Sequence, residues 1–117
     1  MPGKRLLYII LLALAVTSCS DYQKVLRSDD VGLKYRMAEA YYKKGDYQRA
    51  APLYDALVAL YKGTAEGENV YFKYADCYYH LSEYALSAYH FKYFAESFPL
   101  SAKAEEAFFM YAFSLYQ

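Results

Sequence analysis

Ala40-Tyr41-Tyr42-Lys43-Lys44-Gly45-Asp46-Tyr47-Gln48-Arg49-Ala50 is the stretch on which the fold turns. Gly45 can take the left-handed backbone conformation that ends a helix. Asp46 can accept hydrogen bonds from the amides that open the next one. Small Ala38 and Ala50 let the two helices approach closely, while Tyr41, Tyr47 and Tyr54 fill the space between them. The stretch therefore predicts a helix, a tight turn and a second helix.

The pattern recurs. Met37–Tyr42 lies 37 residues before Tyr74–Tyr79, which lies 37 before Tyr111–Tyr116. The same offset maps Tyr35 to Phe72 to Phe109, Tyr47 to Tyr84, Tyr54 to Phe91, and Leu57 to Phe94. In the second unit Leu81-Ser82-Glu83-Tyr84 replaces the Gly-Asp turn and Ser87 replaces Ala50, which predicts a looser turn with the close crossing kept. Five helices follow, over about 31–44, 47–61, 69–81, 84–97 and 102–117. Pro52 falls inside the second of them and predicts a kink or a shifted start. The glycines and charges of Lys62–Glu68 read as a connection that breaks helical periodicity. Glu105 and Glu106 sit in a first turn, where carboxylates favour the positive end of the helix dipole.

This 37-residue unit closely resembles a tetratricopeptide repeat, whose usual period is about 34 residues. The fold class expected is all-α, a helical solenoid of two and a half units over residues 31–117. Pro99 stands where such repeats commonly place a proline between units. The final helix is the first of a third pair, and its apolar side (Phe108, Phe109, Ala112, Phe113, Leu115, Tyr116) lacks a partner. The chain accordingly reads as the N-terminal part of a longer protein. In tetratricopeptide arrays the first helix of each pair lines a concave groove. Here that side carries Tyr35, Glu39 and Tyr42, then Phe72, Asp76 and Tyr79, then Phe109, Phe113 and Tyr116, with Lys43 and His80 following at the helix ends. Such a groove is aromatic and mildly acidic, suited to an extended peptide with aromatic and basic side chains. Tyr41, Tyr47, Tyr54, Tyr78 and Tyr84 recur at packing positions instead.

The N-terminus carries an address. Lys4-Arg5, an uncharged run from Leu6 to Val16, and small residues before Cys19 make a signal peptide over residues 1–18. Eleven apolar residues are too few to span a hydrocarbon core of ~30 Å. Val16-Thr17-Ser18-Cys19 resembles the lipobox of bacterial lipoproteins, whose cysteine becomes the acylated first residue. Several acyl chains anchor a protein stably, at ~0.8 kcal/mol per buried methylene. Residues 19–30 then form a lipid-anchored tether, and Ser20 beside the cysteine suits sorting to the outer membrane.

Composition excludes other classes. The 117 residues hold 13 Lys+Arg, 13 Asp+Glu, 17 Tyr, 7 Phe, 2 Cys and no Trp. Loss of Lys4 and Arg5 with the signal takes the 13 basic residues to 11, against 13 acidic, a formal −2. No basic excess or cluster supports nucleic-acid binding. Neither a phosphate loop, a paired-cysteine metal motif nor a nucleophile elbow is present. Asp76 and His80, four apart, could in principle bind a metal or work as an acid–base pair, but a hydrogen bond between helix neighbours accounts for them. His90, among Tyr89, Phe91 and Tyr93, reads as packing, and Cys77, standing where Ala40 stood, as a small buried side chain. No enzyme, metal or cofactor is expected beyond the lipid on Cys19.

The lipobox, the short tether, Arg36–Tyr42, Gly45–Ala50 and the Phe98-Pro99-Leu100-Ser101 to Ala104-Glu105-Glu106-Ala107-Phe108 run together resemble the BamD family of outer-membrane assembly lipoproteins, also called YfiO- or ComL-like. The resemblance covers Cys19 to Gln117. Family members have about five repeats, so this chain would hold about half of them. The resemblance implies a non-enzymatic scaffold on the periplasmic face of the outer membrane of a Gram-negative bacterium. Its partners would be BamA and other subunits of the β-barrel assembly machinery, and its N-terminal repeats would receive unfolded outer-membrane proteins. The alternatives are a SusD-type glycan-binding lipoprotein, against which the short linkers and missing Trp count, and a periplasmic scaffold coordinating cell-wall synthesis.

Overall fold

The computed structural model describes residues 2–117, with their side chains except those of residues 15–20. Among these the chain is all-helical: α1 (Pro2–Arg27), α2 (Val31–Lys43), α3 (Tyr47–Val58), α4 (Ala65–His80), α5 (Tyr84–Ser97) and α6 (Ala104–Leu115). Each helix from α2 to α6 packs against its neighbour in sequence, and the molecule extends over 63 × 35 × 18 Å.

Helix α4 sits between two cores. Its Val70, Tyr74 and Cys77 join Ala38 of α2 and Ala50, Leu53, Tyr54 and Leu57 of α3. Its Tyr71, Phe72 and Ala75 join Phe91 and Phe94 of α5 and Ala107 of α6. Full burial of rings such as Phe91 and Phe94 contributes roughly 2–3 kcal/mol each, far more than the intrinsic helix preference of any one residue. Ala38 and Ala50 are completely buried, as their small size at the crossing requires. The equivalents of Ala50 and Cys77 one unit on are Ser87 and Ser114, also buried, and their hydroxyls bond to each other at 2.9 Å.

The two helix-to-helix turns are built alike. Gly45 has φ +78°, with its N–H donating to Tyr42 O at 3.0 Å and the Asp46 N–H to Tyr41 O at 2.9 Å. Ser82, 37 residues on, has φ +61°, with Ser82 N–H on Tyr79 O at 3.0 Å and Glu83 N–H on Tyr78 O at 2.9 Å. The second turn is therefore not looser, as its sequence suggested, but equally tight. The backbone geometry persists because neighbouring helices impose it, and a serine is held where glycine fits without strain, at about 1–2 kcal/mol. The cap differs too. Asp46 accepts from Arg49 N at 3.3 Å, whereas Glu83 makes no side-chain cap bond. Restoring the first turn's chemistry with Ser82→Gly and Glu83→Asp is expected to stabilise the chain by about 1–2 kcal/mol. In thermal unfolding that is a rise of about 5 °C or more, and an unchanged midpoint would remove strain at Ser82 from the account.

One helix start departs from expectation, and a proline expected to disturb another does not. Helix α4 starts at Ala65, four residues before the anticipated 69, because Thr64 caps it. The Thr64 hydroxyl donates to Tyr61 O at 2.7 Å and accepts from Gly67 N at 3.1 Å. Gly67 is thus no helix breaker: a Cβ there would stand 2.3 Å from the Tyr61 carbonyl oxygen, so glycine is what lets the first turn of α4 lie against the end of the preceding segment. Helix α3 starts at Tyr47 as anticipated and continues through Pro52, so the proline does not shift its start.

Helix α1 continues through the stretch anticipated as a tether. Tyr22, Val25 and Leu26 pack against the first core. The Tyr22 hydroxyl donates to Arg49 O at 2.7 Å, its ring meets Tyr41 edge-on at 5.6 Å, and Arg49 lies over it at 5.9 Å. The apolar residues of the first half, Leu6 to Leu12, are exposed. No helix of the described residues is long and apolar enough to cross a membrane. Met1 of the signal segment and the side chains of Val16 to Cys19, including the expected lipidation site, lie outside the described residues.

Candidate functional site

Four of the nominated groove residues, Tyr35, Glu39, Tyr42 and Asp76, lie between α2 and α4. Tyr35 accepts from Asn69 Nδ2 at 3.3 Å, Glu39 pairs with Lys73, and the Tyr42 hydroxyl donates to Asp76. Each pair is separated by 34 residues, the 37-residue offset less about one helical turn. One stagger between parallel helices brings all three together. Glu39 also accepts from Tyr54 OH at 2.8 Å and Asn69 Nδ2 at 3.1 Å, so a single carboxylate gathers α2, α3 and α4. Burial first, and the bond to Asp76 second, push the Tyr42 hydroxyl well above the usual tyrosine range, so it stays a neutral donor. Asp76 also meets His80 Nε2 at 3.3 Å, and the His80 ring stacks on Tyr47 at 4.2 Å. Asp76 and His80 are thus helix neighbours, with a third partner from α2 that their spacing alone does not reveal. Lys43 lies exposed at the end of α2.

The same stagger reappears between α4 and α6 with different chemistry. Tyr79 meets Phe113, again 34 residues on, with centroids 5.9 Å apart. These positions correspond to Tyr42 and Asp76, so an aromatic contact replaces the polar one. Phe72 is buried, edge-on to Phe91 and Phe94 at 5.3 and 5.5 Å, with Lys103 Nζ 4.7 Å above its ring. Phe109 stacks on Phe113 at 5.8 Å. Phe109, Phe113 and Tyr116 are 63%, 41% and 88% exposed. Of the nominated residues, then, Tyr35, Glu39, Tyr42, Phe72 and Asp76 hold helices together. Tyr79 leads outward to an open ring surface made by Phe113, Phe109 and Tyr116.

A second aromatic cluster escaped the reading of the sequence. Tyr71, Tyr74 and Tyr78 of α4 face His90 of α5, with ring centroids 5.7, 4.8 and 5.4 Å away, and Tyr89 stands edge-on at 5.1 Å. Tyr71 OH lies 2.8 Å from His90 Nδ1. Burial lowers the His90 pKa, opposed by Asp55, and so favours the neutral ring. The i, i+3, i+7 spacing of Tyr71, Tyr74 and Tyr78 on α4 was the available signal. Cys77 lies in the first core, where burial and then Asp76 push its thiol up to about 12, leaving almost no thiolate at neutral pH. Among the described residues no group of three or more His, Cys, Asp or Glu could hold a metal ion.

No protein-family model, curated protein or solved structure matches the chain.

Proposed function

We propose that this chain is a non-enzymatic, lipid-anchored scaffold of the tetratricopeptide type in the outer membrane, acting as a BamD-like part of the β-barrel assembly machinery. Its surface on α4 and α6 would receive unfolded outer-membrane proteins, with BamA as the neighbouring subunit and the lipid on Cys19 as the anchor. The recurrence of the closing turn at 37 residues and of the inter-helix stagger at 34 supports a repeating array. The observation that carries the binding role is the exposed run of Phe109, Phe113 and Tyr116, continued by the half-buried Tyr79. Rings held on a rigid helix give large contact area at little entropic cost and fit the aromatic side chain of an extended segment edge-on or offset. A scaffold role also agrees with the ionisable groups, since Glu39 and Asp76 are occupied by hydroxyl, amide and ammonium partners.

A benzophenone-bearing peptide ending in phenylalanine tests this face by photo-crosslinking to the full chain. Phe109→Ala with Phe113→Ala removes exposed rings and should lower crosslinking by about fivefold or more. Crosslinking that stays at the starting level would refute the placement of the substrate on α6.

A further inference from the structure

On a different face of α4 from the ring surface just described, α3, α4 and α5 form a shallow, open hollow of about 390 Å³ lined by Asp55, Tyr71, Tyr74, Tyr89, His90 and Tyr93, with Val58 and Ala59 at its edge. Its walls are five aromatic rings, and Asp55 is the one residue of formal charge among those lining it. We propose that this hollow binds the guanidinium of an arginine in an extended polypeptide, Asp55 supplying the counter-charge and Tyr89 and Tyr93 the ring faces.

Several observations converge on that chemistry. A carboxylate beside tyrosine faces attracts a cation twice, by charge and by the ring quadrupole, and a flat guanidinium stacks on a ring while its N–H groups reach a carboxylate. Asp55 is exposed and positioned: Oδ1 accepts from Tyr74 OH at 2.7 Å, and Tyr74 OH lies 3.0 Å from Tyr78 OH. The bond occupies Oδ1 and leaves Oδ2 for a further donor. Tyr89 and Tyr93 are 64% and 43% exposed, and Tyr93 lies 5.1 Å from the Tyr71 ring, so part of the cage is already assembled on a buried tyrosine. The neutral His90 adds no competing positive charge.

The hollow also explains why the cation should belong to a chain. It shares Val58, Ala59, Tyr71 and Tyr93 with an adjoining cavity of about 640 Å³ that runs on past Gly67 to Phe98, where the exposed Lys62 at its edge favours an apolar side chain over a second cation. A small free cation would leave that second, largely apolar cavity empty, whereas an arginine followed by an apolar side chain fills both. The inference stands apart from the assembly-machinery proposal, because it uses none of the α6 rings and needs no particular partner.

The test is calorimetric titration of the full chain with acetyl-Arg-Leu-amide and with its citrulline counterpart, which keeps the shape and removes the charge. The arginine peptide should bind at least tenfold more tightly. Asp55→Asn, which can still accept from Tyr74, should abolish most of that preference, and Tyr89→Leu, at an exposed ring, should weaken binding several-fold without changing the melting temperature. Equal affinity for the two peptides, no binding of either, or a preference untouched by both variants would overturn the proposal. Tetramethylammonium competing as strongly as the peptide would overturn the polypeptide ligand in favour of a free organic cation.

Discussion

Gly67→Ala is expected to destabilise the chain by about 3 kcal/mol and to lower its thermal midpoint by roughly 10–15 °C. The new methyl would stand 2.3 Å from the Tyr61 carbonyl oxygen and 3.2 Å from its carbon, and both are backbone atoms that no side-chain rotation can move. Relief requires the first turn of α4 to lift from the end of the preceding segment, which pulls on the Thr64 bonds to Tyr61 and Gly67. The same substitution in the first turn of α2 provides the contrast. At Gly32 the added methyl meets Arg36 Nη1, the end of a flexible side chain, at 3.3 Å, and lies at ordinary contact distance, 3.5 Å, from Asp30 Oδ1, which keeps its cap bond to Leu33 N. Gly32→Ala should therefore stabilise slightly, by up to about 1 kcal/mol, through the lower backbone entropy of the unfolded state. Two glycine-to-alanine changes in helical first turns with opposite signs separate close backbone approach from helix propensity. Equal effects would show that the contact at Tyr61 is not rigid.

Tyr54→Ala should remove about 3–5 kcal/mol, the largest loss expected from any one core residue. Tyr54 is completely buried on α3, its ring 6.2 Å from Tyr42 and edge-on to it. Burial, and then the bond to Glu39, raise its hydroxyl far above the usual tyrosine range, so the group remains a donor throughout the stable pH range. Tyr54→Phe separates ring from hydroxyl. It keeps the packing and removes one of the donors to Glu39, which retains Asn69 and Lys73. A loss near 1 kcal/mol is expected for that change. Denaturant titration of both variants decides the matter: if phenylalanine is as damaging as alanine, the junction of α2, α3 and α4 depends on the Glu39 network and not on the ring.

Much of this architecture was legible in residue types and spacing. Gly45 and Asp46 act in the turn as their chemistry demands, and Ala38, Ala50 and Cys77 are buried where small side chains were needed. The misreadings have physical causes. Gly67 looked like a helix breaker because propensity describes an isolated helix, whereas its absent Cβ answers a contact with Tyr61. Ser82 looked unsuited to a tight turn because its left-handed conformation is imposed by packing, although its position 37 residues after Gly45 already pointed to the same geometry. The i, i+4, i+7 face of α2 was correctly identified as one face, but spacing along a helix does not say whether that face meets solvent or another helix. Tyr35, Glu39 and Tyr42 are occupied by α4 because of a stagger that belongs to the packed pair. The cluster around His90 was hidden for the complementary reason: its rings come from two helices and converge only once these pack.

The functional proposal and the structure meet in the α4–α6 surface, where the aromatic residues that do not complete a core are concentrated on the last helix. Their exposure is an energetic liability unless something covers them for part of the time. Under the proposed function unfolded barrel proteins would cover them in part, beside any further helix pair of the array, and that reading makes a definite demand on the protein's neighbours. Affinity purification of the tagged full-length protein from the detergent-solubilised membranes of its own cells tests that demand most directly. The account predicts that BamA is recovered as a major partner and that the tagged protein carries lipid on Cys19. Recovery of a glycan transporter as the main partner, with BamA absent, would contradict it.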